Sequence, residues 1–395
     1  MAIDYDPYMP EVIENPQPIY KQLRAEEPVY FIERFGAWAL AKFADIWQAS
    51  MDNDNYTATA GTTSAHLLTK VQPATPMINL MDPPTHTEFR SMIMSFFTPG
   101  RVRKHRPQIQ QFVDEAWAAV AEKDEADLYN EFATSVSVKV ACLANGFPLE
   151  DADFCNDLVW RFFLRDPEQG EGMTADGLAA MGELTAYFAE LVQKRRARGA
   201  STESVVDLTC SAEVGGRKFT DEEAGSHLSM FMIGGAETFP KTFASSAHRL
   251  WEHKDQRAEL AADPSLILGA YEEVLRYDMP TQFLMRLVTK EHQIGGKTLE
   301  PGHSVMFLYP SANRDEDEFE NPDTFDIHRR PARILTFGHG THACIGRHFA
   351  KMEGQLCIEK LLAEAPNYEV QSDKLSRIKT EFVQGWETMP VVMRP

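Results

Sequence analysis

The feature that most limits how this chain can fold is one helical pattern from Asp221 to His253, about 30 residues long. Thr220 precedes it, and Glu223 three residues later completes the pattern of a capping box. A helix of this length is unusual in a globular protein. We therefore expect it to cross the whole molecule.

The rest of the chain is also mostly helical in pattern. Apolar residues recur at helical spacing over residues 107–125 and 177–198. Strand patterns are few and short, and they cover residues 37–41, 284–289 and 302–308. The predicted fold class is therefore mainly α with a minor β portion.

The middle of the long helix contains residues that weaken a helix. Gly234 and Gly235 are poor helix formers, and Pro240 has no N–H to donate to the carbonyl of Ala236. A kink is therefore predicted in this part of the helix. Glycine pairs also serve as packing notches between core helices, so the kink alone does not identify a site.

A second informative pattern is TFGHGTHACIGR at residues 336–347. Gly338 and Gly340 allow a tight turn and a close approach of the backbone to a flat group. Cys344 precedes an amphipathic helix, whose N-terminus favours a thiolate, a strong ligand for soft metals. The residues alone leave two alternatives open. One is a structural cysteine, and the other is a zinc site with the nearby histidines, whose spacing fits no common zinc pattern.

This stretch resembles the haem-binding signature of the cytochrome P450 family, Phe-Gly-x-Gly-x-His/Arg-x-Cys-x-Gly, at every defined position. The resemblance implies a cytochrome P450 fold with haem b (heme, iron protoporphyrin IX) between the long kinked helix and the cysteine loop. It implies that Cys344 is the metal ligand, that Phe337 shields the sulfur and that His342 contacts a propionate. The implied cofactor-binding residues of the loop are Thr336, Phe337, Gly338, His342, Cys344 and Gly346.

The middle of the long helix resembles a second element of the family, Ala/Gly-Gly-x-Asp/Glu-Thr, which makes room for dioxygen. The resemblance implies that Glu237 and Thr238 are the catalytic acid–alcohol pair that delivers protons to the bound dioxygen. Gly234 and Gly235 are then part of the cofactor-binding set. The first position is Gly instead of Ala, which is a common variant.

Residues 82–90 contain a third element. His86 and Arg90 are four residues apart on a predicted helix that Asp82 caps, and the spacing alone would make them a solvated helix face. They resemble the family's His-x-x-x-Arg element, which implies that both contact haem propionates. Arg286 resembles a third such contact. Together with His342, these side chains would offset two buried negative charges.

Glu273 and Arg276 form a fourth element, at i,i+3 spacing on a predicted helix. On the surface such a pair would contribute well under about 1 kcal/mol. The pair resembles the family's Glu-x-x-Arg element, which is buried and joined by a further arginine. Arg329 matches that position. The implied role of the three residues is structural support for the haem loop.

The order of these elements implies a single domain over residues 1–395 and a soluble, bacterial-type haem-thiolate monooxygenase. It would insert one atom of O2 into a small apolar organic substrate, by hydroxylation or oxidative dealkylation. The chain has no Gly-x-Gly-x-x-Gly segment for a nucleotide, so a separate ferredoxin with its reductase would supply the electrons. The alternatives are a haem-thiolate peroxygenase or isomerase, which usually lack the acid–alcohol pair, and a non-catalytic haem or ligand-binding protein.

The resemblance also implies an apolar substrate pocket. Its implied lining is Phe162, Phe163, Phe231, Phe283, Leu284 and Val383, although each of these residues could equally belong to the core. Arg161 and His227 are candidates for holding a polar end of the substrate. A terpenoid, a small aromatic compound or a steroid would suit such a pocket.

The charge of the chain restricts its partners. A formal net charge of −20 disfavours nucleic acid and anionic membranes, and the sequence has no apolar run long enough to span a membrane. The five cysteines are widely spaced, which predicts a reducing, cytoplasmic location. Cations that could steer an acidic electron carrier, or simply be solvated, are Arg101, Arg103, Lys104, Arg106, Arg329, Arg330, Arg333, Arg347 and Lys351.

Overall fold

The computed structural model describes residues 3–72, 75–166, 171–199 and 201–394, and helices dominate it. The helices are α1 (Pro10–Glu14), α2 (Gln17–Glu26), α3 (Phe43–Ala49), α4 (Ser64–Leu67), α5 (Thr85–Ile93), α6 (Pro99–Lys104), α7 (Arg106–Ala118), α8 (Thr134–Asn145), α9 (Ala152–Phe163), α10 (Ala175–Arg198), α11 (Val205–Ser211), α12 (Asp221–Ala236), α13 (Thr238–Glu252), α14 (Lys254–Ala262), α15 (Ile267–Tyr277), α16 (Tyr309–Ala312) and α17 (Arg347–Glu364). The predicted fold class, mainly α with a minor β portion, is confirmed.

The strands are short. They are β1 (Val29–Ile32), β2 (Ala37–Leu40), β3 (Tyr56–Thr57), β4 (Glu125–Asp127), β5 (Glu213–Val214), β6 (Arg217–Lys218), β7 (Phe283–Val288), β8 (His292–Ile294), β9 (Lys297–Leu299), β10 (Ser304–Leu308), β11 (Glu369–Val370) and β12 (Pro390–Val392). The largest sheet has the order β1-β2-β10-β7-β3, and only the β2–β10 pair is parallel. The three predicted strands correspond to β2, β7 and β10, with ends that differ by at most two residues.

Apolar residues cover both faces of this sheet. Successive side chains of a strand point to opposite faces, so Val305 of β10 packs into one apolar cluster and Met306 into another. Burial on both sides explains why the strands consist of continuous apolar runs. The same alternation places Phe283 and Leu284 of β7 on opposite faces of the sheet.

The long helical pattern corresponds to two consecutive helices, α12 and α13, which meet at Glu237. Helices α8 and α10 pack against α12, while α17 packs against α13. The capping box predicted at Thr220 and Glu223 is present, with both reciprocal hydrogen bonds. None of the helices in the described ranges combines the length and the apolar character that crossing a membrane requires.

The predicted kink is present at the junction of α12 and α13, and a residue from another helix supports it. Pro240 cannot donate to the carbonyl of Ala236. Instead, the Ser137 hydroxyl on α8 lies 2.8 Å from the carbonyl oxygen of Gly235 and 3.3 Å from that of Ala236, and donates to them. The hydroxyl thus satisfies buried acceptors that the break in the helix leaves unpaired.

Candidate active site

The cysteine loop, residues 336–346, turns sharply before α17. Gly338 has φ +64° and Gly340 has φ +71°, which glycine adopts without steric cost. A Cβ at Gly340 would lie 2.4 Å from the carbonyl oxygen of Ser50, whereas one at Gly338 would meet nothing closer than 3.9 Å. The close backbone approach at Gly340 is therefore made to the protein itself, while Gly338 borders open space.

Cys344 ends this turn. Its backbone N–H donates to the carbonyl of Phe337 at 2.7 Å, and its side chain opens onto an internal cavity. Burial raises the pKa of the Cys344 thiol, although the N–H groups of Gly346 and Arg347 and the guanidinium of Arg90 act in the opposite direction. The N–H groups at the start of α17 therefore favour the thiolate, the direction that the sequence predicts, but desolvation outweighs them in the free thiol. A cation bound at the sulfur would favour the thiolate.

Four basic side chains, His86, Arg90, Arg286 and His342, line one side of the same cavity. The rings of His86 and His342 pack with their centroids 4.2 Å apart. Arg90 also donates to the carbonyl of Ala343, which ties α5 to the cysteine loop. In the described part of the chain, Nδ1 of His86 and Nε2 of His342 are buried without a hydrogen-bond partner.

The electrostatics of this basic group favour a bound anion. Burial and the neighbouring guanidinium groups lower the pKa of His86 to about 4 and that of His342 to about 2. Burial also lowers the pKa of Arg90 and of Arg286. Positive charge on these side chains is therefore unfavourable here. An anionic group bound between them would raise their pKa values again.

Glu273 and Arg276 lie in the interior, with their side chains 0% exposed. The Arg276 guanidinium donates to both Glu273 carboxylate oxygens at 2.7 Å, and Arg329 donates to one of them at 3.1 Å. Arg276 also donates to the carbonyls of Asn313 and Pro322, at 2.8 and 2.9 Å. This geometry excludes the surface ion pair that spacing alone suggested.

Asn313 connects this network to the cysteine loop. Its carbonyl accepts from Arg276, its side-chain oxygen accepts from the N–H of Leu335 at 2.8 Å, and its side-chain nitrogen donates to the Thr336 hydroxyl at 2.9 Å. Thr336 in turn donates to the carbonyl of Leu275 at 2.6 Å. The residues leading into the loop are therefore fixed to α15.

The kinked helix supplies another wall of the cavity, and its two glycines differ in their surroundings. A Cβ at Gly235 would lie 2.7 Å from Cβ of Ala141 on α8, so Gly235 acts as the packing notch that the sequence left open. A Cβ at Gly234 would have no neighbour closer than Met230, at 3.9 Å, and Gly234 faces the cavity. Thr238 also lines the cavity, and its hydroxyl lies 3.4 Å from the carbonyl oxygen of Gly234.

Glu237 lines the cavity as well, and its carboxylate is paired with Lys241. Both side chains are almost fully buried. Lys241 was not predicted from the sequence, although its i,i+4 spacing from Glu237 was a usable signal. Ser137 gave no such signal, because it lies 98 residues away from the carbonyl that it supports.

The cavity has a volume of about 370 Å³, and both the cysteine loop and the kinked helix line it. Apart from the polar groups already described, its wall is mainly apolar. The apolar lining includes Ile78, Phe163, Met230, Phe231, Ile233, Leu284, Phe382 and Val383.

Four of the six predicted pocket residues line this cavity, namely Phe163, Phe231, Leu284 and Val383. Phe283 does not, because it points to the other face of β7 and is buried in a sheet core. Phe162 does not either, since adjacent helical residues point in different directions and it packs against the helical core.

The two candidates for a polar substrate contact also lie outside the cavity lining. Arg161 pairs with Asp176 and Glu183 at 2.6 and 3.4 Å. His227 is buried between Phe89 and Phe219, at ring-centroid distances of 4.8 and 4.5 Å. Ile78, Met230, Ile233 and Phe382 were not predicted, because apolar residues of a pocket and of a core have the same sequence pattern.

The donor set of the cavity fits haem b. A thiol borders an apolar cavity of ligand size, and four basic side chains gather at one side, where two carboxylates could be paired. The unpartnered nitrogens of His86 and His342 are consistent with hydrogen bonds to such carboxylates. No cluster of three or more His, Cys, Asp or Glu side chains with metal-binding geometry occurs among the residues described here, so the zinc alternative has no support.

Comparison with known proteins identifies the family. Residues 268–391 match the profile described as Cytochrome P450. A vitamin D(3) 25-hydroxylase of Pseudonocardia autotrophica is 33% identical, over 97% of this chain and 94% of its own length. A steroid C26-monooxygenase of Mycobacterium tuberculosis is 31% identical, over 95% of this chain and 93% of its own. A Bacillus megaterium P450 solved with testosterone has a TM-score of 0.87 and 25% identity, covering 98% of this chain and 100% of that one.

These relatives match along almost the whole chain. The chain therefore belongs to the cytochrome P450 family, whose members bind haem b and use dioxygen, and it is a cytochrome P450 monooxygenase.

Proposed function

We propose that this monooxygenase inserts one atom of O2 into a small apolar organic substrate, by hydroxylation or oxidative dealkylation. The observation that carries the proposal is one cavity bordered by Cys344, by the pair Glu237 and Thr238, and by an apolar wall. A compound of steroid or vitamin D type is the favoured substrate class, because the similar proteins include a vitamin D(3) 25-hydroxylase and a steroid C26-monooxygenase. Residues 1–395 would form one haem-binding domain, and the five free cysteines favour the cytoplasm.

Haem b would be held between the cysteine loop and the kinked helix. Cys344 would bind the iron, and the proposed propionate contacts are His86, Arg90, Arg286 and His342. The haem supplies activation of dioxygen, which a thiolate ligand promotes by donating electron density to the iron. The other proposed cofactor contacts are Gly234, Gly235, Thr336, Phe337, Gly338 and Gly346, of which Gly235 acts through helix packing.

The remaining assigned residues position groups or move protons. Thr238 would pass a proton from its hydroxyl into the cavity that Cys344 borders, here called the haem-side cavity. Glu237 would then give Thr238 a proton to replace the one it lost. The buried network of Glu273, Arg276 and Arg329 would fix the entry to the cysteine loop through Asn313. Substrate would contact Phe163, Phe231, Leu284 and Val383.

A separate ferredoxin with its reductase is the proposed electron donor. Of the predicted cations, Arg329 is part of the buried Glu273 network, and Arg106, Arg333 and Lys351 pair with acidic neighbours. The others on α6 and at the start of α17 are exposed and have no ion pair within the described ranges, namely Arg101, Arg103, Lys104 and Arg347. Because α6 packs against α17, these cations form a basic surface on the Cys344 side, here called the basic face.

The test is turnover of testosterone as a probe substrate, driven by NAD(P)H through a ferredoxin system. We expect Thr238→Ala to keep consuming oxygen but to form at least about tenfold less product, because a positioned proton donor contributes 10²- to 10⁴-fold. Thr238→Ser, which keeps the hydroxyl, should retain most of the coupling, that is, the product formed per oxygen consumed. Unchanged coupling in Thr238→Ala would refute the role of Thr238, and turnover with peroxide alone would favour the peroxygenase alternative.

A further inference from the structure

Glu237 and Lys241 form an ion pair at the kink, one helical turn apart. Their side chains are only 5% and 3% exposed. The Lys241 ammonium also lies 3.4 Å from the hydroxyl of Tyr129 and 3.3 Å from the carbonyl oxygen of Glu237. The rings of Tyr129 and Phe163 lie 5.8 and 6.0 Å from the same nitrogen. Lys241 is therefore fixed by several neighbours.

A buried ion pair of this kind is not needed for stability, because well-packed apolar residues often serve as well. Burial lowers the pKa of Lys241, but the Glu237 carboxylate and Tyr129 outweigh it, so the net direction is upward. Lys241 thus remains a cation near neutral pH and holds the carboxylate in one position. Because stability does not require this pair and it lies beside Thr238, we expect it to have a role in proton transfer.

A second cavity, of about 470 Å³, lies on the other side of this pair. Besides Glu237 and Lys241, its charged lining residues are Asp153, Asp157, Arg165, Lys379 and Glu387. The lining also includes Trp160, which is 53% exposed, so the cavity reaches the protein surface. We call it the polar cavity.

Among the residues that the structure describes, Glu237 and Phe163 are the two that line both the polar cavity and the haem-side cavity. Only Glu237 of these two can carry a proton. Lys241 lines the polar cavity, whereas Thr238 lines the haem-side cavity. A carboxylate held by Lys241 therefore has a cavity open to solvent on one side and the Thr238 hydroxyl on the other.

We propose that Lys241 is a positioning residue for proton uptake, which holds the Glu237 carboxylate at the inner end of the polar cavity. A proton from hydronium or buffer acid in bulk solvent reaches Glu237 through water in that cavity, so no hydroxide is left behind. Glu237 then turns towards Thr238. It gives the proton to the Thr238 hydroxyl as that hydroxyl releases its own proton into the haem-side cavity. Lys241 keeps its protons, and no electron moves in these steps. The inference rests on the proposed function of Glu237 and Thr238.

The first test needs no turnover. Removing the cation in holoenzyme Lys241→Met leaves a buried carboxylate without its partner, and we expect it to take up a proton. The infrared difference spectrum against wild type should then show the carbonyl band of a carboxylic acid. That band should be missing in Lys241→Met/Glu237→Gln, which assigns it to Glu237. A Lys241→Met spectrum without the band would overturn the proposal.

The second test is coupled turnover of testosterone with a ferredoxin system. Lys241→Met should reduce product formed per NAD(P)H by about tenfold, less than the roughly 10²- to 10⁴-fold of a direct proton donor, because Lys241 acts through Glu237. Lys241→Arg, which keeps the charge, should form nearly as much product per NAD(P)H as wild type. If Lys241→Met yields no holoenzyme, Lys241→Gln replaces it with the same expected losses.

The controls separate the two hypotheses. If Thr238→Ala uncouples turnover while Lys241→Met does not, the role of Lys241 is refuted and the proposed function stands. If wild-type protein lacks the thiolate-type spectrum of its reduced carbon monoxide complex, the proposed function itself is refuted.

Discussion

His227 is a buried imidazole, and desolvation disfavours its protonated form more than the Glu223 carboxylate favours it. It lies on α12 between Phe89 and Phe219, and Nδ1 has no hydrogen-bond partner in the described ranges. Burial lowers its pKa to about 4. Because an unfolded histidine titrates near 6.5, the stability that depends on neutral His227 is full above about pH 6.5. It is lost as the pH falls towards 4.

We therefore expect His227→Leu to reduce the acid sensitivity of the protein. Between pH 7 and pH 4.5, wild type should lose about 2–3 kcal/mol more free energy of unfolding than the variant loses. Urea denaturation at the two pH values measures this difference. His105→Leu, a control at a partly exposed position on the surface of the protein, should behave as wild type. Equal pH dependence in His227→Leu and wild type would contradict the assignment.

Single residues differ in how far the sequence could predict them. Cys344 and His342 belong to one motif and Arg90 to another, both of which fix residue types, and the structure brings all three to one cavity. The burial of Glu273 was implied by the resemblance but not by the spacing, because it depends on the chain around Pro322, nearly 50 residues away. His227 was wrongly predicted to contact the substrate, because a helix has the same apolar sequence pattern whether it faces a pocket or a core.

At the scale of elements, the kink between α12 and α13 combines a local cause with a distant support. The local cause, Pro240 after two glycines, is visible in the sequence. The support is Ser137 on α8, whose position depends on how the two helices pack. Gly235 permits that packing by leaving room for Ala141. Such pairings between distant segments explain why the kink could be predicted and its support could not.

Ser137→Ala tests this support. It would leave the carbonyls of Gly235 and Ala236 without their donor, and we expect a loss of about 1–3 kcal/mol in the free energy of unfolding. Ser229→Ala is the matched control, since its hydroxyl bonds the carbonyl of Gly225 inside a regular part of α12. That carbonyl keeps its helical partner, so the control should lose less. Equal losses in urea denaturation would contradict the account of the kink.

At the scale of the whole molecule, charge is distributed unevenly. The chain carries a formal net charge of −20, yet the basic face lies beside the cysteine loop. A positive surface on a negative protein would orient an acidic electron carrier as it approaches. The sequence identified these cations as a group, but it could not separate the exposed ones from those engaged in ion pairs.

Charge reversal on the basic face tests this orientation. Arg103→Glu/Lys104→Glu should raise the KM for an acidic ferredoxin several-fold at low salt, and the difference from wild type should shrink as salt is added. Arg198→Glu, at the exposed end of α10, is the control and should leave KM unchanged. A KM that is unaffected by the double reversal would place the docking surface elsewhere.

The central claim is that Cys344 binds haem iron as a thiolate, and the spectrum of the reduced carbon monoxide complex tests it most directly. Wild type should show the long-wavelength Soret band of a thiolate-ligated haem. Cys210→Ser, at a partly buried cysteine outside the cavity lining, should keep that band. Cys344→Ser should lose it. A thiolate-type band that survives in Cys344→Ser would contradict the account.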